Sequence, residues 1–157
     1  MKRVHSVMVL VLMLMLAGVL EAVAATYVME NQWGGSSARW HPGGIFVLGA
    51  REQQLPIAFK LVSHDQGRTL QGTMTYRGEG PIGVRAKQAV GNTYYIENQW
   101  GGPSAPWHSG GQFVIGAREN QKAVELTIQS SDQGVTFQGT MTYRGEGPIG
   151  VRGTLQP

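Results

Sequence analysis

The chain has no cysteine, so a disulfide framework, a thiolate metal site and a cysteine nucleophile are all closed to it. Charge is sparse, at 15% of 157 residues, and the basic residues stand singly. Without a Lys/Arg run, nucleic acid is a poor partner. No window carries the apolar stripe of an amphipathic helix. Long hydrophobic runs are confined to Val7–Leu20, shorter than the roughly 20 residues a bilayer span requires. Lys2 and Arg3 precede that run and Ala22-Val23-Ala24 follows it. This is the order of a secretory signal, with residues 1–24 as the leader and cleavage expected after Ala24 or Ala25; the alternative, an uncleaved anchor, is disfavoured by the length of the run. The expected location is therefore secreted or periplasmic, with no membrane insertion once the leader is removed.

What is present is duplication. GTMTYRGEGPIGVR occurs at Gly72–Arg85 and again, unchanged, at Gly139–Arg152. Trp33-Gly34-Gly35 returns as Trp100-Gly101-Gly102, and Arg51 and Glu79 return as Arg118 and Glu146, always 67 positions on. Residues 26–90 and 93–157 are two abutting copies of one unit. Without the leader, eleven basic and nine acidic side chains leave a net charge of +2, too little to demand an anionic partner. Two repeats are too few for a solenoid, and residues 25–157 suit one domain. A single body built from both copies is expected.

Within each copy the period is two. Val124-Glu125-Leu126-Thr127-Ile128-Gln129 alternates apolar with polar, and Leu70, Met74 and Tyr76 point opposite to Thr69, Gln71, Thr73 and Thr75. Asp65-Gln66-Gly67 and Asp132-Gln133-Gly134 read as hairpin turns in which glycine supplies the positive φ. The strands predicted in copy one are Tyr27–Gln32, Ile45–Arg51, Pro56–Val62, Arg68–Tyr76 and Ile82–Lys87. Five strands per copy make ten. The fold class is all-β, and closure into an antiparallel barrel, preferred over a sandwich, would hide the sheet edges.

Three loops per copy hold the candidate chemistry. In Trp33-Gly34-Gly35 and Trp100-Gly101-Gly102 the glycines leave the indole uncrowded. An open ring beside bare N–H groups could stack on a sugar while the amides reach its hydroxyls. The alternative is a core Trp followed by a turn, and Trp40 and Trp107 are the candidates for that core role. Arg51 and Arg118 stand at strand ends. Glu79 and Glu146 lie between glycines on short loops, where burying a carboxylate is costly. Glu and Arg together match a sugar's donors and acceptors, but an ordinary surface ion pair accounts for them equally well. His41 and His108 lack a second ligand at metal spacing. Arg77 and Arg144 read as exposed rim residues.

ENQWGGSSA, SAPWHSGG, GAREN and GTMTYRGEGPIG resemble the Oscillatoria agardhii agglutinin type of high-mannose lectin across Thr26–Gln156. The resemblance implies a compact ten-stranded antiparallel β-barrel with a carbohydrate site at each end, each mixing the two copies. One site would comprise Trp33, Gly34, Gly35, Arg118, Glu146 and Gly147. The other would comprise Trp100, Gly101, Gly102, Arg51, Glu79 and Gly80. The implied ligand is the branched mannose core of high-mannose N-glycans, bound without catalysis, metal or other cofactor by a monomer with two sites. Five features depart from the family pattern: Pro103 stands where copy one has Ser36, Pro106 where it has Arg39, Arg77 and Arg144 add a positive charge in place of a small residue, Leu55–Ser63 differs from Lys122–Ser130 at most positions, and the leader precedes the repeats. All but the leader bear on whether the two sites are equal. Two rival readings are a glycoside hydrolase using Glu79 and Glu146, which needs carboxyls about 5–9.5 Å apart, and an envelope adhesion module that binds protein.

Overall fold

The computed structural model describes residues 25–48, 55–78, 80–91, 93–115 and 122–157. The proposed leader, Arg51, Glu79 and Arg118 lie outside them. Every regular element among the described residues is a strand: β1 Ala25–Gln32, β2 His41–Leu48, β3 Pro56–Val62, β4 Thr69–Tyr76, β5 Ile82–Gln88, β6 Thr93–Gln99, β7 His108–Ile115, β8 Ala123–Gln129, β9 Thr136–Tyr143 and β10 Ile149–Leu155. They close into one antiparallel barrel in the order β1-β10-β9-β8-β3-β4-β5-β6-β7-β2. Ten strands in two tandem sets of five, closed without an edge, is the architecture expected from the repeat and its period of two.

The order has a consequence for the copies. Copy one supplies β3-β4-β5 as one block and β1-β2 as another, and copy two supplies β8-β9-β10 and β6-β7 in the gaps. Each copy therefore pairs with the other at every seam: β1 with β10, β2 with β7, β3 with β8 and β5 with β6. Neither copy closes a sheet alone.

Alternation fills the interior. Leu70, Met74 and Tyr76 are buried, as are Leu126 and Ile128. At the β2/β7 seam Phe46 and Phe113 are register partners and meet edge to face, with ring centroids 5.3 Å apart. Phe59 meets Phe46 in the same way at 4.8 Å. Gly72 and Gly139 take inward positions where a side chain has no room. A Cβ at Gly72 would lie 1.8 Å from the Lys60 carbonyl oxygen, and one at Gly139 would lie 1.9 Å from that of Thr127. These glycines let β4 and β9 press against β3 and β8.

One predicted strand differs. The second strand begins at His41 and not at Ile45. Pro42-Gly43-Gly44 has the composition of a loop, yet it pairs with β1 through a bulge at Met29/Glu30, and Gly43 makes room for the Asn31 amide.

The two Asp-Gln-Gly turns form as expected, with one addition: Gln66 and Gln133 also take positive φ, at 62° and 61°. The Asp holds each turn. Asp65 accepts from the Thr69 N–H at 2.8 Å and the Thr69 hydroxyl at 2.7 Å, and Asp132 does the same with Thr136 at 2.8 and 2.6 Å. Tyr27 of copy one donates its hydroxyl to the Gly134 carbonyl of copy two, and Tyr94 returns the bond to Gly67. The turns are thus tied across copies. The Thr69 N–H, then its hydroxyl, holds the Asp65 carboxyl down at about 2, and the Thr136 hydroxyl, then its N–H, holds Asp132 at about 2. A carboxylate depressed in the folded state contributes stability that is complete above the unfolded pKa and is lost as pH falls through the folded one. Urea unfolding at stepped pH should therefore show stability declining between about pH 4 and 2, with a shallower decline in the Asp65→Asn/Asp132→Asn variant. An unchanged slope in that variant would remove the two turns from the acid response.

Candidate functional site

The site is built where strand register brings unlike loops together. Gln32, the last residue of β1, pairs with Gly150 at the start of β10. The segment leaving β1 is Trp33-Gly34-Gly35, and the segment entering β10 is Glu146-Gly147-Pro148. One copy's Trp-Gly-Gly thus lies beside the other copy's Glu-Gly. Gln99 pairs with Gly83 in the same way, setting Trp100-Gly101-Gly102 beside Gly80-Pro81. Seven antiparallel steps separate β1 from β6 around the barrel, so their closing ends face opposite poles. By the same alternation Ile115 and Lys122, the described residues flanking 116–121, stand at the Trp33 pole. Leu48 and Leu55, which flank 49–54, stand at the Trp100 pole.

The Trp-Gly-Gly loops share one internal architecture. Gly34 and Gly35 have φ of 99° and 94°, and Gly101 and Gly102 have 97° and 98°. Two consecutive residues in this region require glycine. The Gln32 amide donates to the Ser36 carbonyl at 3.1 Å and to the Ala38 carbonyl at 2.5 Å. Gln99 does likewise to Pro103 at 3.1 Å and Ala105 at 2.7 Å. Only the carbonyl of residue 36 or 103 is used in these bonds, so Pro103 replaces Ser36 without changing the loop. Arg39 and Pro106 are both exposed. The sequence differences leave the two loops equivalent in form.

Each indole is half-buried and rests on a histidine. Trp33 stacks on His41 with centroids 4.6 Å apart and planes 3° from parallel, and Trp100 stacks on His108 at 4.4 Å and 6°. The two histidines thus serve as platforms for the indole rings, and no cluster of metal-ligating side chains occurs among the described residues. Glu146 is half-buried and near enough to Tyr143 that its carboxylate, after burial itself, pushes that phenol above its usual range. Arg77 and Arg144 are exposed, as their reading as rim residues requires.

The expected core role of Trp40 and Trp107 is not what the structure has. Both are half-buried on the flank, and it is Trp33 that packs against the core cluster. Trp40 lies under the Arg152 guanidinium, 4.3 Å from the ring centroid, and Trp107 lies under Arg85 at the same distance. Each Arg also donates from Nε to a carboxylate on the neighbouring strand at 2.6 Å, Arg152 to Glu30 and Arg85 to Glu97. The first set runs copy one, copy two, copy one; the second runs the reverse. These stacks clip the far end of each Trp-Gly-Gly loop to the strand that follows the other copy's Glu loop. Sequence reasoning passed over Arg85 and Arg152, although both close the unchanged fourteen-residue stretch. A cation over an exposed ring is worth about 0.5–1 kcal/mol, and the half-exposed ion pair adds little.

A closed ten-stranded barrel of two tandem repeats, together with relatives that are lectins and agglutinins, defines the class as a sugar-binding protein and not an enzyme. The chain belongs to the OAA-family lectins, whose sugar binding domain it matches twice, at residues 25–89 and 92–156. It is 58% identical to Lectin OAA of Planktothrix agardhii over 83% of this chain and 98% of that one. It is 57% identical to the Myxobacterial hemagglutinin of Myxococcus xanthus over 84% of this chain, and spans about half (49%) of that relative's length. Among solved structures, the glycan-bound Pseudomonas taiwanensis lectin superposes with a TM-score of 0.73 at 55% identity, covering 84% of this chain and 99% of that one. The Myxococcus xanthus hemagglutinin in complex with α3,α6-mannopentaose gives 0.73 at 55% identity, covering 86% of this chain and 51% of that one.

The flank stacks make a measurable claim. Arg152→Ala should lower stability in urea by about 1 kcal/mol, and a double-mutant cycle with Trp40→Ala should return a coupling of about 0.5 kcal/mol. Zero coupling would mean that ring and guanidinium only lie side by side.

Proposed function

We propose that the protein is a mannose-binding agglutinin that takes the branched core of high-mannose N-glycans at both poles of the barrel. One site comprises Trp33, Gly34, Gly35 and Glu146-Gly147 with Arg118. The other comprises Trp100, Gly101, Gly102 and Gly80 with Arg51 and Glu79. The single observation that carries this reading is the register that sets Gln32 against Gly150 and Gln99 against Gly83, because it brings the indole loop of one copy to the acidic loop of the other. The mannopentaose held by the Myxococcus hemagglutinin, a relative in sequence and fold, supports the ligand class. In such a site the indole meets the C–H face of a pyranose, loop amides and the guanidinium donate to its oxygens, and the carboxylate accepts from its hydroxyls.

The hydrolase alternative fails on placement. Glu146 lies at one pole, whereas Gly78 and Gly80 lie at the other. Strands of seven or eight residues, about 25 Å long, separate them. Carboxyls that cleave one glycosidic bond stand about 5–9.5 Å apart. Two poles suit cross-linking instead, since a second engagement on the same surface can raise avidity by about 10²–10⁴.

Calorimetry with α3,α6-mannopentaose tests the mixed-copy assignment. The parent protein should bind two equivalents and the Arg118→Ala variant one. A variant that keeps both, or loses both, would contradict it.

A further inference from the structure

The two copies have diverged on the outer wall of the barrel. Across β5, β6 and β7 one row of register partners is Lys87, Tyr95 and Gln112, and the next is Arg85, Glu97 and Ser109. The matching rows on the opposite wall are Thr154, Val28 and Ile45, then Arg152, Glu30 and Pro42. The Arg–Glu pair is common to both. Everything around it has changed from apolar or small to aromatic and hydrogen-bonding. Tyr95 is 60% exposed, whereas Tyr94 beside it is buried in the core.

That altered wall carries a groove of about 550 Å³ bordered by Lys87, Gln88, Tyr95, Glu97 and Ser109. Glu97 on its lining holds Arg85, and Arg85 with Trp107 and Gln71 borders a second hollow of about 380 Å³. The ion pair stands between the two hollows, which follow one another along the wall from Trp107, which closes the Trp100 loop, to Tyr95 as an interrupted trough. Trp100 and Tyr95 lie five residues apart along one strand direction, about 17 Å.

We propose that this trough is an accessory pyranose subsite, present on one wall only, which extends the Trp100-pole site. The proposal rests on the lectin reading above. A Tyr ring offers a face to the C–H side of a pyranose, the Lys87 ammonium and Ser109 hydroxyl donate, and the Glu97 carboxylate accepts. Arg85 neutralises Glu97 and leaves Lys87 as the one uncompensated charge among the described residues of the trough, which is thin provision for a polyanion, and the charged rim disfavours an apolar peptide. The two poles thus differ in reach. A branched glycan held at the Trp100 pole finds a wall to lie along, and one held at the Trp33 pole meets the flank carrying Val28 and Pro42.

The test is an amide NMR titration of ¹⁵N-labelled protein with α3,α6-mannopentaose, on the parent and on Tyr95→Val, which installs the residue the opposite wall carries as Val28. In the parent, amides of Lys87, Gln88 and Tyr95 should shift together with Gly101 and Gly102. In Tyr95→Val the wall shifts should vanish and affinity at the Trp100 pole should fall about three- to tenfold, with Gly34 and Gly35 unaffected. Loop glycines that respond while the wall amides stay silent would overturn the subsite alone, as would wall shifts that survive Tyr95→Val. Silence at the loops and the wall alike would overturn the lectin reading and the subsite with it.

Discussion

Antiparallel pairing between unlike copies is the constraint on which the rest depends. Each copy falls into a two-stranded and a three-stranded block with four open edges between them, and each edge is satisfied here by the other copy. Because β1-β2 inserts between β10 and β7, the chain cannot close its barrel without placing one copy's loop against the other's. The composite poles follow from closure itself. Smaller ties repeat the exchange: Tyr27 and Tyr94 bond into each other's copy, and the Arg85 and Arg152 stacks bridge the same seams.

This arrangement explains why the stretch from Gly72 to Arg85 recurs without a change. Its glycine at 72 or 139 relieves a backbone approach, its Met and Tyr fill the core, its acidic loop enters a pole, and its final Arg clips the partner copy's Trp. The wall residues Lys87, Tyr95, Gln112 and Ser109 face outward on strands whose inner faces are already determined, and there the copies differ.

Much of the fold was legible in the sequence because alternation is local: Leu70, Met74 and Tyr76 announce their face within seven residues. The Asp-Gln-Gly turns were legible for the same reason. Closure, and with it the partner of each loop, rests on register between residues such as Gln32 and Gly150, more than a hundred positions apart, and no local pattern encodes it. The first part of β2 was missed because Pro-Gly-Gly has loop chemistry and pairs only through a bulge. Trp40 and Trp33 sit in one irregular loop without periodicity, so the sequence could not say which indole meets the core and which meets an arginine.

The mixed-copy pole is the claim to test most directly. Amide shifts of Gly34, Gly35, Gly101 and Gly102 should be followed in the Glu146→Gln variant as α3,α6-mannopentaose is added. The account predicts that Gly34 and Gly35 fall silent while Gly101 and Gly102 respond as in the parent. The reverse pattern, with the glycines of Glu146's own copy losing their response, would contradict it.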